Sequence, residues 1–300
     1  MKILLLGKDG QVGWELQRAL APLGEVIALG RDSPAPLNTD FSDSDALAAI
    51  VRTIAPQIIV NAAAHTAVDL CEREPDLARA INATAPGALA REASALGAWL
   101  LHFSTDYVFD GSGAAPWSES SPTGPLNVYG ATKLAGEEAI LASGCSHLIL
   151  RTSWVYAARG KNFARTMLKL ARSRNSLEVV NDQFGAPTGA DLLADVSAHC
   201  LRTALNRSDV SGVYHAVAHG ETSWHGYARH IIAFALAAGQ PLLTTPKSIV
   251  AVPSQTLASQ ARRPNNSRMN TSKLTQTFGL TMPPWQLGVN RMLSELIEQD

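Results

Sequence analysis

Two rhythms of apolar and polar positions alternate through the first half of the chain. Short continuous apolar runs, as in strands buried on both faces, occur at residues 2–6, 25–29, 58–60 and 99–103. Between them, residues 14–23, 44–54 and 69–96 are helix-compatible, the last punctuated by Pro75 and Pro86. Strand and helix in alternation predict an α/β fold, a Rossmann-like doubly wound parallel sheet whose ligands gather at the carboxyl ends of the strands. After Leu150 the rhythm changes. Residues 151–156, 177–180 and 212–217 read as strands, and residues 163–172, 191–205, 224–237 and 285–298 as helices. The expected organisation is a dinucleotide-binding domain over residues 1–150, with part of 181–217 returning to it. A smaller, partly discontinuous substrate domain takes most of residues 151–300.

Polar residues interrupt the apolar runs at the strand ends, where ligands are expected. The first strand stops at Gly7-Lys8-Asp9-Gly10-Gln11-Val12-Gly13 and a helix follows. Strand, glycine turn and helix together present backbone N–H groups to a pyrophosphate. The GxxGxxG spacing departs from the GxGxxG fingerprint, so taken alone it reads equally well as a turn. At the end of the second strand Gly30-Arg31-Asp32 favours NADPH, because an arginine there accommodates a 2'-phosphate; the adjacent Asp32 keeps NADH open. Small residues from Asn61 to Thr66 would let a flat cofactor lie on the backbone after the third strand, and plain helix–sheet packing explains them as well. The fourth strand ends in Ser104, Thr105 and Asp106.

Tyr129 and Lys133, four residues apart, share one face of a helix-like run. A neighbouring ammonium favours phenolate and lowers a phenol pKa that is otherwise about 10, making the pair a plausible proton donor to a carbonyl. A lone YxxxK is weak evidence, since a surface tyrosine and a solvated lysine occur on many helices. Its company at the strand ends strengthens it.

Composition narrows the partners. With 300 residues, 46% hydrophobic and 17% charged, the chain can bury a large core, and a net charge of -1 gives no electrostatic reason to expect nucleic acid or an anionic membrane. The leading apolar run is too short for a signal peptide or a membrane helix, so the cytoplasm is expected. Cys71, Cys145 and Cys200 stand in no metal spacing, and the histidine pairs His215/His219 and His225/His230 have no acidic partner, so no metal ligand is assigned. Farther on, residues 181–188 (NDQFGAPT) read either as a base-stacking surface or as a packed turn. Arg262, Arg263 and Arg268, with Asn265 and Asn266, could clamp a diphosphate.

Several of these segments together resemble a known family. GKDGQVGWEL, VNAAAHTAVD, STDYVFDG, PLNVYGATKLAGE, RTSWVY, NDQFGAPT and RRPNNSRMN, spread over residues 7 to about 270, are similar to the extended short-chain dehydrogenase/reductases and, within them, to the dTDP-4-dehydrorhamnose reductase family. The resemblance implies NAD(P)H-dependent reduction of the C4 ketone of a nucleotide sugar, in the supply of dTDP-L-rhamnose for cell-surface polysaccharide. It implies that Thr105 takes the place of the usual serine, that Tyr129 donates the proton, and that Lys133 orients it while binding the nicotinamide ribose. Gly10, Gln11, Val12, Asp40, Phe41, Ala64, His65, Thr66 and Phe103 fall where such enzymes bind cofactor. Thr105, Asp106 and Trp154 fall where they hold the sugar nucleotide, and the resemblance makes Arg262, Arg263 and Arg268 candidates for its diphosphate. Some members are magnesium-linked dimers through acids at the positions of Glu15, Asp191 and Glu295, which leaves Mg2+ and a homodimer open. Two rivals remain: another extended-family nucleotide-sugar reductase or epimerase, and a non-catalytic NADP-binding regulatory subunit, against which intact Thr105, Tyr129 and Lys133 argue.

Overall fold

In the first half of the chain, β1 (Lys2–Leu6), α1 (Gln11–Leu20), β2 (Glu25–Leu29), α2 (Ser44–Ile54) and β3 (Ile58–Asn61) alternate as the apolar runs foretell. There follow α3 (Val68–Arg73), α4 (Pro75–Arg79), a π-helical turn (Ala80–Thr84), α5 (Ala85–Leu96), β4 (Trp99–Thr105), α6 (Val128–Ala142) and β5 (His147–Thr152). Beyond these lie α7 (Phe163–Ala171), β6 (Leu177–Val180), α8 (Ala190–Ala204), β7 (Gly212–His215), α9 (Trp224–Ala237), β8 (Ile249–Val252), α10 (Ser272–Phe278) and α11 (Trp285–Glu298). The computed structural model describes residues 1–34, 37–256 and 259–298.

Six strands form one parallel sheet in the order β7-β5-β4-β3-β1-β2. Strand order reverses at β1, which pairs with β2 on one side and β3 on the other. Such a reversal opens a crevice at the carboxyl ends of the strands. Successive strand residues point to opposite faces. Ile3, Leu5, Ile58, Val60, Leu101, Leu148 and Leu150 pack with α1 and α8, whereas Leu4, Leu6, Ile59, Leu100 and Ile149 pack with α2, α5 and α6. Burial on both faces is why these strands read as unbroken apolar runs.

A second core gathers Tyr156, α7, β6, α9, β8 and α11, with β8 pairing in parallel to β6. Three elements differ from the sequence expectation. The helix-compatible stretch 69–96 is broken, because Glu74 is non-helical (φ -126, ψ 56) ahead of Pro75 and a π turn follows at Ala80. The strand expected over 151–156 splits: β5 ends at Thr152, Trp154 adopts a left-handed φ of 50°, and Val155–Tyr156 pairs instead with Thr188–Gly189. Helix α1 begins at Gln11 rather than at Trp14, with Gly10 at its N-cap. Among the described residues no helix is long and apolar enough to cross a membrane.

Candidate active site

Side chains from distant segments hold the start of α6 in place. Asn127 caps it, its Oδ1 accepting from the Gly130 N–H at 2.8 Å while its Nδ2 donates to the Arg262 carbonyl at 2.8 Å. The Val128 N–H donates to Glu72 Oε1 at 2.7 Å. A Cβ at Gly130 would lie 2.2 Å from the Tyr107 carbonyl oxygen, so only glycine allows α6 to approach the turn that follows β4. This approach brings the Tyr129 phenol close to Thr105 and sets its ring edge-on to Tyr107, with centroids 5.5 Å apart. Thr105 Oγ1 also donates to Asp106 Oδ1 at 3.2 Å. Asp106 is buried, its Oδ2 has no hydrogen-bond partner among the described residues, and burial pushes its carboxyl up to about 7 against the pull of Ser267 and Thr105.

Lys133 departs from expectation. Its Nζ donates to the Phe103 carbonyl at 2.6 Å and lies 3.0 Å from His102 Nε2. Burial brings the lysine down to about 8. Burial also pushes the Tyr129 phenol up, an effect that the nearby Thr105 hydroxyl only partly offsets. The expected lowering of the phenol by Lys133 is therefore corrected: a cation is costly in this interior, and the amine is turned to strand β4.

The glycine turn divides its work. Gly7 has φ 87°, and a Cβ there would lie 2.8 Å from the Ala63 nitrogen; at Gly13 a Cβ would lie 2.0 Å from the Gly7 oxygen. Both glycines are required by packing. Gly10 is different: its φ is -70°, and a Cβ would meet only the Gly7 oxygen at 3.4 Å. The first turn of α1, Gln11, Val12 and Gly13, has no side-chain cap and no acidic residue, so its N–H groups suit an anionic group such as a pyrophosphate.

The remaining cofactor candidates lie around this turn. Arg31 is exposed beyond β2, while Asp32 reaches Lys8 Nζ at 3.4 Å. Asp40 is exposed and held below the usual carboxylate range by Ser42, with a smaller effect from Arg31; the Phe41 ring is buried in the core cluster that includes Leu29. After β3, Ala64, His65 and Thr66 form a loop that Asn82 clips in place, accepting from the His65 N–H at 2.8 Å and donating to its carbonyl at 3.1 Å.

Next to the Tyr129 end of α6 lies a cleft of about 730 Å³ whose lining includes Asp110, Leu126, Gln183, Gln255, Arg262 and Arg263. The structure separates the three candidate arginines. Arg263 donates to Asp69 Oδ2 at 2.8 Å and to Ser259 Oγ at 2.6 Å, whereas the exposed Arg262 makes no ion pair among the described residues. Arg268 stands apart from the cleft, stacked over Phe184 at 4.4 Å and bonded to Glu221 at 2.5 Å. Trp154 is also outside the cleft lining, stacked on Trp224 with ring centroids 3.7 Å apart. Sequence reasoning missed His102, Asn82, Asn127 and Tyr107 as site residues. His102 alone carried a signal, as a polar residue inside the apolar run of β4.

Glu15, Asp191 and Glu295 do share a small cavity, of about 40 Å³, but Arg291 lies among them, 3.7 Å from Asp191 and 3.2 Å from Glu295. Among the described residues no group of three or more His, Cys, Asp or Glu is arranged to hold a metal, so these acids do not fit Mg2+ as they stand.

Residues 1–298 match the family model described as the RmlD substrate binding domain. The chain is 57% identical over 296 residues to the dTDP-4-dehydrorhamnose reductase of Escherichia coli (strain K12), covering 99% of this chain and 98% of that protein. A crystal structure of a dTDP-4-dehydrorhamnose reductase from Clostridium acetobutylicum is similar with a TM-score of 0.88 at 32% identity, covering 99% of this chain and 100% of that one. The Bacillus anthracis dTDP-4-dehydrorhamnose reductase in complex with NADP is similar with a TM-score of 0.86 at 31% identity, covering 98% and 99%. In sequence and in fold, the chain belongs to the dTDP-4-dehydrorhamnose reductase family.

Proposed function

We propose that the chain reduces the C4 ketone of dTDP-4-dehydro-L-rhamnose to dTDP-L-rhamnose with NADPH as the preferred reductant, in the cytoplasm, for cell-surface polysaccharide. The observation that carries this reading is the meeting of two hydroxyls, those of Thr105 and Tyr129, at the carboxyl end of β4. A ketone oxygen placed against the pair receives two hydrogen bonds that strengthen as negative charge builds on it. Tyr129 then gives up its phenolic proton to that oxygen. Because burial raises its pKa, the phenol is fully protonated at neutral pH and available as the acid. A nicotinamide bound in the crevice supplies the hydride.

The other roles follow from position. Gly10 and the uncapped start of α1 hold the cofactor pyrophosphate, Arg31 its 2'-phosphate, and Lys133 its nicotinamide ribose. Arg262, exposed at the cleft and without an ion pair among the described residues, meets the diphosphate of the sugar nucleotide. In this division residues 1–150, together with part of 181–217, serve the cofactor, and most of 151–300 serves the substrate.

The test mixes the purified chain with NADPH and dTDP-4-dehydro-L-rhamnose and follows the reduced-nicotinamide absorbance. Loss of that band in step with product supports the reading. Epimerisation without net NADPH consumption would reject it, as would NADPH binding with no turnover.

A further inference from the structure

Three groups meet at the Thr105 hydroxyl oxygen, whose capacity is fixed at one proton to give and two lone pairs to fill. The Tyr107 backbone N–H can only donate, and at 3.2 Å it takes one lone pair. Asp106 Oδ1 also lies 3.2 Å away, and the Tyr129 phenol is close by. What becomes of the second lone pair and of the proton is settled by Asp106.

Asp106 is buried, makes no ion pair among the described residues, and has no hydrogen-bond partner among them for its Oδ2. A carboxylate in that state is costly, and taking up a proton relieves the cost. The proton belongs on Oδ1, where it finds the Thr105 oxygen; on Oδ2 it would be an unpaired donor in the interior. The titratable groups nearby do not oppose this. Tyr107 in the same turn and Tyr129 on α6 are phenols that burial keeps protonated, and Cys71 on α3 lies beside Tyr129. Arg263 is committed to Asp69, and Arg151 on β5 to Glu137. Burial brings the Asp106 carboxyl up to about 7, so acid and carboxylate are both populated around neutral pH.

We propose that Asp106 is a positioning residue that acts through Thr105: as the acid it donates to the Thr105 oxygen, and as the carboxylate it takes the Thr105 proton. In the acid form both lone pairs of Thr105 are filled, by the Tyr107 N–H and by the Asp106 O–H. Thr105 then sends its own proton outward and cannot accept from Tyr129, which leaves both hydroxyls free to donate to a ketone. In the carboxylate form Oδ1 holds the Thr105 proton, and the vacated lone pair accepts from the Tyr129 phenol. Both protons are then turned away from the ketone. This consequence rests on the reading of Thr105 and Tyr129 as the ketone's two donors.

Its mark is a pH dependence. With NADPH saturating, kcat/KM for dTDP-4-dehydro-L-rhamnose should fall as pH rises through about 7, approaching ten-fold per unit. Asp106→Asn presents an N–H to Thr105 and cannot ionise. It should keep kcat/KM within about ten-fold of the parent on the acid side and lose the decline. Thr105→Val leaves Asp106 able to titrate but removes its route to the ketone, so the lower kcat/KM of that variant should also lack the decline. A decline that persists in the asparagine variant belongs to another group, and one that persists in the valine variant shows Asp106 acting on the sugar directly; either overturns the proposal.

Infrared spectra of the full chain across the same pH range need no turnover. A carboxylic-acid C=O band should be present on the acid side, vanish as pH rises, and be missing in Asp106→Asn; without such a band the proposal fails. A chain that shows the band but reduces no sugar nucleotide loses only the reductase reading, and an active reductase without it loses only this one.

Discussion

Arg151 on β5 and Glu137 on α6 form a two-pronged ion pair in the interior, Nε to Oε1 at 2.9 Å and Nη2 to Oε2 at 2.6 Å. Both side chains are almost wholly buried, and Arg151 also lies over the Phe109 ring at 5.1 Å. The pair ties the helix bearing Tyr129 and Lys133 to the sheet one turn beyond Lys133. Glu137→Gln should destabilise the fold by roughly 3–5 kcal/mol, since it strands a buried guanidinium whose Nη1 already has no partner among the described residues. A denaturant midpoint close to that of the parent protein would contradict this.

Tyr129→Phe should leave NADPH affinity within a few-fold of the parent and lower kcat by roughly 10²–10⁴, the usual loss for a missing general acid. The Thr105 hydroxyl remains, so the ketone keeps one of its two donors. Fluorescence titration of NADPH alongside steady-state kinetics separates the two effects. Near-parental turnover would remove Tyr129 from the mechanism.

Asp106 gives the fold a pH dependence opposite to that of an ion-paired carboxylate. Its carboxyl is raised from 3.8 to about 7 in the folded chain. Between those values the unfolded chain has lost a proton that the folded chain keeps, so this group makes stability fall as pH rises, by at most roughly 1.4 kcal/mol per pH unit. Below the window both states are protonated and the group contributes no slope. Asp106→Asn cannot ionise and should lack this decline. Urea titrations of both proteins across the window should therefore diverge, with the variant relatively more stable toward the alkaline end; parallel curves would be the contrary result.

Arg262 and Arg268 differ in what already occupies them. Arg262→Ala should raise the KM for the sugar nucleotide roughly 10- to 100-fold, the scale of a lost charge-assisted hydrogen bond, and leave the Kd for NADPH unchanged. Arg268, committed to Glu221 and to the face of Phe184, should show a smaller rise in KM when replaced by alanine. Equal effects at the two positions would refute this ordering.

Gly10 and Gly13 separate ligand space from packing space. Gly10→Ala meets only the Gly7 oxygen at 3.4 Å, so the variant should fold normally and bind NADPH roughly ten-fold or more weakly. Gly13→Ala sets a Cβ 2.0 Å from that same backbone oxygen and should cost about 1–3 kcal/mol of stability or prevent folding. Thermal melts with and without NADPH report both effects, and an unchanged NADPH shift in the Gly10 variant would argue against a pyrophosphate at the head of α1.

The sheet was legible because its causes are local. A strand buried on both faces must be apolar at successive positions, so β1, β3 and β4 can be read one at a time, and the strand ends mark where polar groups cluster. Tyr129 and Lys133 were legible for the same reason, since helical spacing alone sets them on one face. The breaks in the stretch 69–96 and in 151–156 were not. Pro75 marked one break, but the π turn at Ala80 and the left-handed backbone of Trp154 depend on partners far along the chain.

What the sequence by itself determined is the α/β alternation, the glycine turn after β1 and the set of side chains available for chemistry. Only the tertiary structure decided what those side chains do at their stations. It turned Lys133 toward His102 and Phe103, raised Tyr129 and Asp106 by burial, placed Phe41 in the core and committed Arg268 to Glu221. The reason is physical: spacing fixes which residues share a face, whereas desolvation and hydrogen-bond direction depend on neighbours brought in from other strands and helices. His102 faces Asn61 across 41 positions of chain and Lys133 across 31, and no local pattern encodes such a meeting.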